Sequence, residues 1–210
     1  MAYTVARKGN LYIARHGQTT SNVERYFNLD EEELNEQGWK DAHQLAHGFR
    51  DVPLDKVVTS DRLRAIQTSE PLVKMRSLEH KIISDLREHD NGSLTGKPYP
   101  EGMDGPAAQH FLLRADTIFG GESNAATYER AVRVREQFKE YHDEDILMIT
   151  HSTFGIFLSL ALDDRDFRDS NFVQKTGMYD LSHLLKNVQH WHYQVTPDKK
   201  FGRIERQQTV

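Results

Sequence analysis

The chain has no cysteine, so disulfide staples and thiolate metal sites are excluded at once. It has no apolar run near the roughly 18 residues that a membrane-spanning helix needs. Its opening residues, Met-Ala-Tyr-Thr-Val-Ala-Arg-Lys-Gly-Asn, hold no apolar secretory core. It has no surplus of positive charge either: 27 Lys and Arg stand against 32 Asp and Glu, a formal net charge of −5. A non-specific nucleic-acid binder needs a broad basic face, and this balance argues against one. No internal repeat, low-complexity tract or domain linker is visible. The expectation is a cytoplasmic protein whose partners include neither nucleic acid nor membrane. With 210 residues, 37% of them hydrophobic, the chain is long enough for one domain over 1–210 with a single buried core.

What is present alternates between short apolar runs and helical patterns. That order implies an α/β fold, a three-layer sandwich with a mostly parallel central sheet and helices on both faces. Strands are predicted at Leu11–Ala14, Lys56–Thr59, Lys81–Ser84 and Ile146–Thr150, with later ones near Tyr179–Leu185, His190–Val195 and Gly202–Glu205. Asn35 followed by Glu36 and Gln37 reads as a helix cap with an acidic first turn, leading into a stripe of Trp39, Ala42, Leu45, Ala46 and Phe49. A second helix starts near Asp61 and is kinked or ended by Pro71. A third follows Ser123, with Ala131, Val134, Phe138 and Tyr141 on one side, and a nearly all-apolar fourth spans Phe154 to Leu162. Around 91–120, where Pro98, Pro100 and Pro106 accompany several glycines, the chain reads as a lid-like excursion.

Two of the strand runs end in a histidine. Leu-Tyr-Ile-Ala-Arg-His-Gly delivers His16, and Ile-Leu-Met-Ile-Thr-His delivers His151. Open α/β sheets place ligands at the carboxyl ends of their strands. Arg15 precedes the first imidazole and Gly17 follows it; arginine grips phosphate oxygens through a planar fork, and glycine lets a backbone come close to a ligand.

Arg15-His16-Gly17-Gln18-Thr19, followed by Asn22, resembles the signature of the histidine phosphatase superfamily, which includes the cofactor-dependent phosphoglycerate mutases. Leu34 to Gly38, Ser60 to Thr68, Leu86-Arg87-Glu88 with Gly92 and Gly96, Gly121-Glu122-Ser123 and Thr150-His151 resemble its other segments in order. The resemblance covers about Leu11 to Leu160. It implies a phosphoglycerate mutase-like fold and a phosphatase in which His16 attacks phosphorus to form a phosphohistidine that water hydrolyses. It implies further that Arg15, Arg64 and His151 form the positive pocket, that Asn22 and Thr19 add contacts to phosphate, and that Glu88 is the proton donor.

A neutral imidazole is a competent nucleophile near neutral pH if one ring nitrogen is free, so the other should donate, in our reading to a backbone carbonyl near Gly17. Glu88 beside phosphate is expected to have a raised pKa. On chemistry alone Asp85, His89 and Asp90 compete with it, and motif position favours Glu88. Arg64 read blandly is a helix-surface arginine, and His151 a packed strand-end histidine. The scheme calls for no metal and no cofactor.

Three residues depart from the common pattern: Ser21 where tryptophan is frequent, Arg62 where an apolar residue is usual, and Ser152 where glycine is frequent. Arg62 either widens the anion site or points to solvent. Phosphoglycerate mutase-type transfer is the alternative reaction, and Gly92-Ser93-Leu94-Thr95-Gly96 looks mutase-like; the segment from Glu88 to His151 is short and poor in cations for that role. A third reading is a non-catalytic phosphate-binding module on the same fold. Asp30 to Glu33 reads as a solvated acidic loop, and His190-Trp191-His192 as edge-strand surface rather than a metal site. The partner is a small phosphorylated substrate, with Tyr99, Met103, Phe111 and Phe119 candidates for its leaving-group pocket. The stretch after Lys186 either finishes the sheet or makes a homodimer contact.

Overall fold

Strand β1 (Gly9–Arg15) shows why the chain builds layers. In an extended strand successive side chains point to opposite faces. Leu11 and Ile13 enter one apolar cluster, and Tyr12 and Ala14 enter another across the sheet. A strand apolar on both faces is stable only if both are covered.

The computed structural model describes residues 7–99, 120–167 and 190–204. In chain order they form β1, α1 (Thr20–Glu24), α2 (Glu36–Gly48), β2 (Lys56–Thr59), α3 (Leu63–Arg76), β3 (Glu79–Ile82), α4 (Asn124–Phe138), β4 (Ile146–Thr150), α5 (Ser152–Leu162), β5 (His190–Val195) and β6 (Phe201–Ile204). The six strands make one sheet in the order β3-β2-β4-β1-β5-β6. The first four run parallel; β5 and β6 are antiparallel additions. One face packs on α4 and α5 through Val134, Phe138, Phe154 and Phe157. The other packs on α2 and α3 through Leu45, Phe49, Ala65 and Leu72. The α/β sandwich with a mostly parallel sheet stands as expected. None of the described helices is long and apolar enough to cross a membrane.

Several local expectations shift. β3 lies two residues earlier than predicted, and its mostly polar run Glu79-His80-Lys81-Ile82, exposed or half-buried throughout, suits an edge position. Pro71 does not end α3, which continues to Arg76. Thr68 Oγ1 and Ser69 Oγ, in the turn before the proline, donate back to the carbonyls of Arg64 (2.6 Å) and Ile66 (2.7 Å), while the bond that Pro71 itself removes is the one to the Gln67 carbonyl. α1 was not anticipated. It is five residues long and stands on a capping box: Thr19 Oγ1 accepts from Asn22 N–H, while Asn22 Oδ1 accepts from Thr19 N–H.

β5 is an inner strand rather than an edge. His190 is buried against Tyr12 and Phe49, and His192 stacks on Tyr12 at 4.3 Å between centroids. β5 pairs along the length of β1, so tertiary pairing overrides the polar look of His-Trp-His. The lid reading beyond Tyr99 and the Tyr179–Leu185 strand lie outside the described residues.

Candidate active site

β4 enters the sheet between β2 and β1, although it comes last of the four parallel strands, and this crossover brings the two histidines together. Arg15 is the register partner of Thr150, and His16 N–H donates to Thr150 O at 3.0 Å. The rings of His16 and His151 then lie 5.1 Å apart, both buried. Residues 135 apart in sequence become neighbours because both strands end at the same level of the sheet.

His16 Nδ1 lies 2.7 Å from Gly17 O. A carbonyl can only accept, so Nδ1 carries the proton and Nε2 keeps its lone pair. Burial, reinforced by Arg64 and Arg15, holds the His16 pKa well below the ordinary histidine value, so the ring is neutral near pH 7. Burial lowers His151 in the same way, with Arg64, His16 and Arg15 adding to it. Ser60 Oγ lies 2.7 Å from His151 Nε2 and also accepts from Arg62 N–H at 3.3 Å.

Gly17 also serves the site through packing. Its N–H donates to Thr68 Oγ1 at 2.9 Å, and a Cβ there would meet Gly38 O at 2.6 Å. A Cβ on Gly38 would in turn collide with Gln18 O. The two glycines let the loop after β1 press against the start of α2. Asp41, a buried acid that the apolar stripe does not reveal, fixes the contact by accepting from Gln18 N–H at 3.0 Å.

Arg64 is not a surface residue: it is 2% exposed. One of its terminal nitrogens donates to Leu29 O at 2.8 Å, and burial lowers its pKa to about 10, so it stays charged. Burial lowers Arg15 as well, with Glu88 and Tyr99 countering. The Nε–H groups of Arg15 and Arg64 are buried and have no partner among the described residues, and neither has His151 Nδ1. Buried donors are normally satisfied, so orphans clustered in one place need an explanation.

Glu88 is set apart from its neighbours by its contacts. Its carboxylate accepts from the N–H groups of Thr153 (3.2 Å) and Phe154 (2.8 Å), in the first turn of the helix that follows His151. A third bond, at 2.9 Å, comes from His89 N–H. Asp90 instead accepts from Gly92 N–H at 2.8 Å, and the His89 ring faces Thr127 Oγ1 at 2.6 Å. Of the four, Glu88 is the one seated beside the second histidine.

Thr19 and Asn22 are brought near by the same loop but are engaged in capping α1. Thr19 Oγ1 also accepts from Asn28 Nδ2 at 2.7 Å, and Asn22 Nδ2 donates to Asn28 Oδ1 at 3.2 Å. Arg62 pairs with Asp30 at 2.8 Å, so this extra cation is compensated, and Arg87 pairs with Asp61. Glu32 accepts from Ser21 N–H (2.7 Å) and Asn28 Nδ2 (2.6 Å). Glu32 is thus half-buried and tied to the loop after β1, while Asp30, Glu31 and Glu33 remain exposed, as the solvated reading expects. Tyr99 packs edge-on to Phe27 at 4.7 Å, within electrostatic reach of Arg15 and Glu88. Met103, Phe111 and Phe119 lie outside the described residues.

Two imidazoles, two guanidiniums and one carboxylate thus gather at the carboxyl ends of the parallel strands. Residues 11–182 match the profile of the Histidine phosphatase superfamily (branch 1), and the chain belongs to that family. Phosphoserine phosphatase 1 of Hydrogenobacter thermophilus is 26% identical over 151 residues, 68% of this chain and 70% of that protein. Fructose-2,6-bisphosphatase TIGAR of Xenopus laevis is 34% identical over 97 residues, 43% of this chain and 35% of that protein. With other curated relatives the match spans as little as 24% of their length. The solved structure of the alpha-ribazole phosphatase from Shigella flexneri superposes with a TM-score of 0.79 at 20% identity, covering 96% of this chain and 97% of that one.

Proposed function

We propose that the protein is a phosphomonoesterase working through a phosphohistidine on His16, with Glu88 as proton donor. The observation that carries this reading is the cluster of orphaned donors. The Nε–H groups of Arg15 and Arg64 are buried and unpartnered among the described residues, beside a neutral imidazole whose free nitrogen is Nε2. A phosphate monoester supplies acceptors to those donors and an electrophile to that lone pair. In the first half, His16 Nε2 attacks phosphorus and the ester P–O bond breaks, with Glu88 giving a proton to the departing oxygen. In the second half, Glu88 takes a proton from water as that water's oxygen attacks phosphorus; the P–N bond breaks and inorganic phosphate leaves.

Catalysis of this kind is mainly positioning and electrostatic stabilisation. Charge spreading over the equatorial oxygens meets Arg15, Arg64 and His151. With Ser60 donating to Nε2, His151 carries its proton on Nδ1, a further donor to phosphate. Asn22 and Thr19 act through the loop they brace.

The test is hydrolysis of p-nitrophenyl phosphate between pH 5 and 8 by the wild type and His16→Ala, with acid-quench trapping of labelled protein. Turnover and an acid-labile phosphoprotein in the wild type, both lost in the variant, are expected. Turnover that survives in His16→Ala overturns the assignment.

A further inference from the structure

The guanidinium of Arg130, on α4, makes five hydrogen bonds, as many as it has N–H groups, and none goes toward the phosphate pocket. Nη1 donates to the carbonyls of Asp85 (2.8 Å) and Arg87 (2.8 Å), and Nη2 reaches Glu88 O at 3.4 Å. Nε and Nη2 form a bidentate pair with Glu122 at 2.9 and 2.6 Å. The side chain is 10% exposed, and its plane lies over the ring of Phe154 at 4.2 Å. Phe154 N–H is also the donor that holds Glu88 Oε1.

This arrangement is costly unless it performs a task. A buried ion pair barely offsets its own desolvation, so Arg130 and Glu122 are weak evidence of stabilisation by themselves. What they do is fix a backbone path. The carbonyls of residues 85, 87 and 88 converge on one rigid planar fork, and the carboxylate at the end of that path is Glu88. Glu122 supplies the compensating charge, and its own N–H is tied to Asp90 O at 2.9 Å, just beyond the same loop. Phe154 closes the frame by touching the guanidinium with its ring and the carboxylate with its backbone.

We propose that Arg130 is a positioning residue for the proton donor. Its guanidinium, locked by Glu122, clamps the 85–88 backbone so that the Glu88 carboxyl stays docked at the start of α5, in reach of the leaving oxygen. The proposal rests on the reading of Glu88 as the acid. Lysine at 130 keeps the charge but offers three donors from a single point, so it cannot bridge three carbonyls and a carboxylate at once. Misplacement of a reacting group by about 1 Å costs on the order of a hundredfold in rate.

The experiment compares wild type, Arg130→Lys, Glu122→Gln, Glu88→Gln and the Glu88→Gln/Arg130→Lys double variant on two substrates. One is p-nitrophenyl phosphate, whose leaving group departs with little help; the other is an alkyl phosphate such as glycerol 2-phosphate, which needs the proton. Folding is checked by circular dichroism. Arg130→Lys should lower kcat on the alkyl ester roughly ten- to a hundredfold, with less than about a threefold change on the aryl ester and KM steady on both. Adding it to Glu88→Gln should cost nothing further on the alkyl ester. Glu122→Gln should move the same ratio in the same direction by less, and it stands in if Arg130→Lys does not fold. Equal slowing of both esters, or additive loss in the double variant, overturns the proposal while Glu88→Gln keeps its selectivity. If Glu88→Gln is itself unselective, the acid assignment has failed and the proposal falls with it.

Discussion

At the scale of single residues, the site works by making ordinary side chains choose one state. His16 has two nitrogens, and the Gly17 carbonyl selects which one carries the proton. Burial beside two guanidiniums then keeps the ring neutral. Motif position singles out Glu88 among four candidates, and its carboxylate accepts from two N–H groups at the start of α5. Glu88→Gln should lower kcat on alkyl phosphates by about 10² to 10⁴, the span of general acid catalysis, and on p-nitrophenyl phosphate far less. Steady-state kinetics on both esters decide it, and equal losses would mean that another group gives the proton. The glycine after the histidine was legible as necessary, but its reason was not. Gly17 serves packing against Gly38, a contact between residues 21 apart that no local pattern reports.

At the scale of elements, the decisive joints lie between helix starts and strand ends. α5 begins one residue after His151 and offers its first N–H groups to Glu88; α2 begins against the loop that follows His16. Helix N-termini have unsatisfied N–H groups by construction, so they suit both duties. Gly38→Ala tests the second joint. Alanine gains about 1 kcal/mol of helix propensity. The Cβ nonetheless drives into the Gln18 carbonyl, and forced overpacking costs typically 1–3 kcal/mol or more. A net loss of about 1–2 kcal/mol in urea unfolding is expected, with reduced turnover because Gln18 lies two residues from His16. Unchanged stability would show that the α2 start yields freely. Pro71 illustrates the opposite case. Local rules end a helix there, yet α3 runs on because its buried face, Ala65 and Leu72, is held against the sheet.

At the scale of the whole molecule, the sheet that carries the site also carries a pH liability. His190 is packed between Tyr12 and Phe49, its Nδ1 has no partner among the described residues, and burial lowers its pKa to about 4. In the unfolded chain a histidine titrates near 6.5. Between those values the unfolded state binds more protons, so stability falls as pH drops. The contribution is fully present above about pH 6.5 and is lost as the pH falls toward about 4, on the order of 3 kcal/mol. His190→Phe should flatten that part of the stability-versus-pH curve, measured by urea unfolding from pH 4 to 7.5. A slope unchanged by the substitution would assign the acid sensitivity to other groups.

The sequence alone determined the alternation of apolar runs and helices, and hence a layered α/β fold. It also determined which strands end in histidine, because two-sided burial and strand-end chemistry leave local patterns. The capping of α2 by Asn35 and of α4 by Ser123 was legible for the same reason, as each cap bonds within three residues of itself. Only the tertiary structure decided that β4 lies beside β1, that Arg64 and Arg130 are buried, that Asp30 answers Arg62, and that His190 belongs to the core. Each of those depends on a partner far away in sequence. Burial and charge pairing are properties of the assembled neighbourhood, and a chain read residue by residue carries no record of who that neighbour will be.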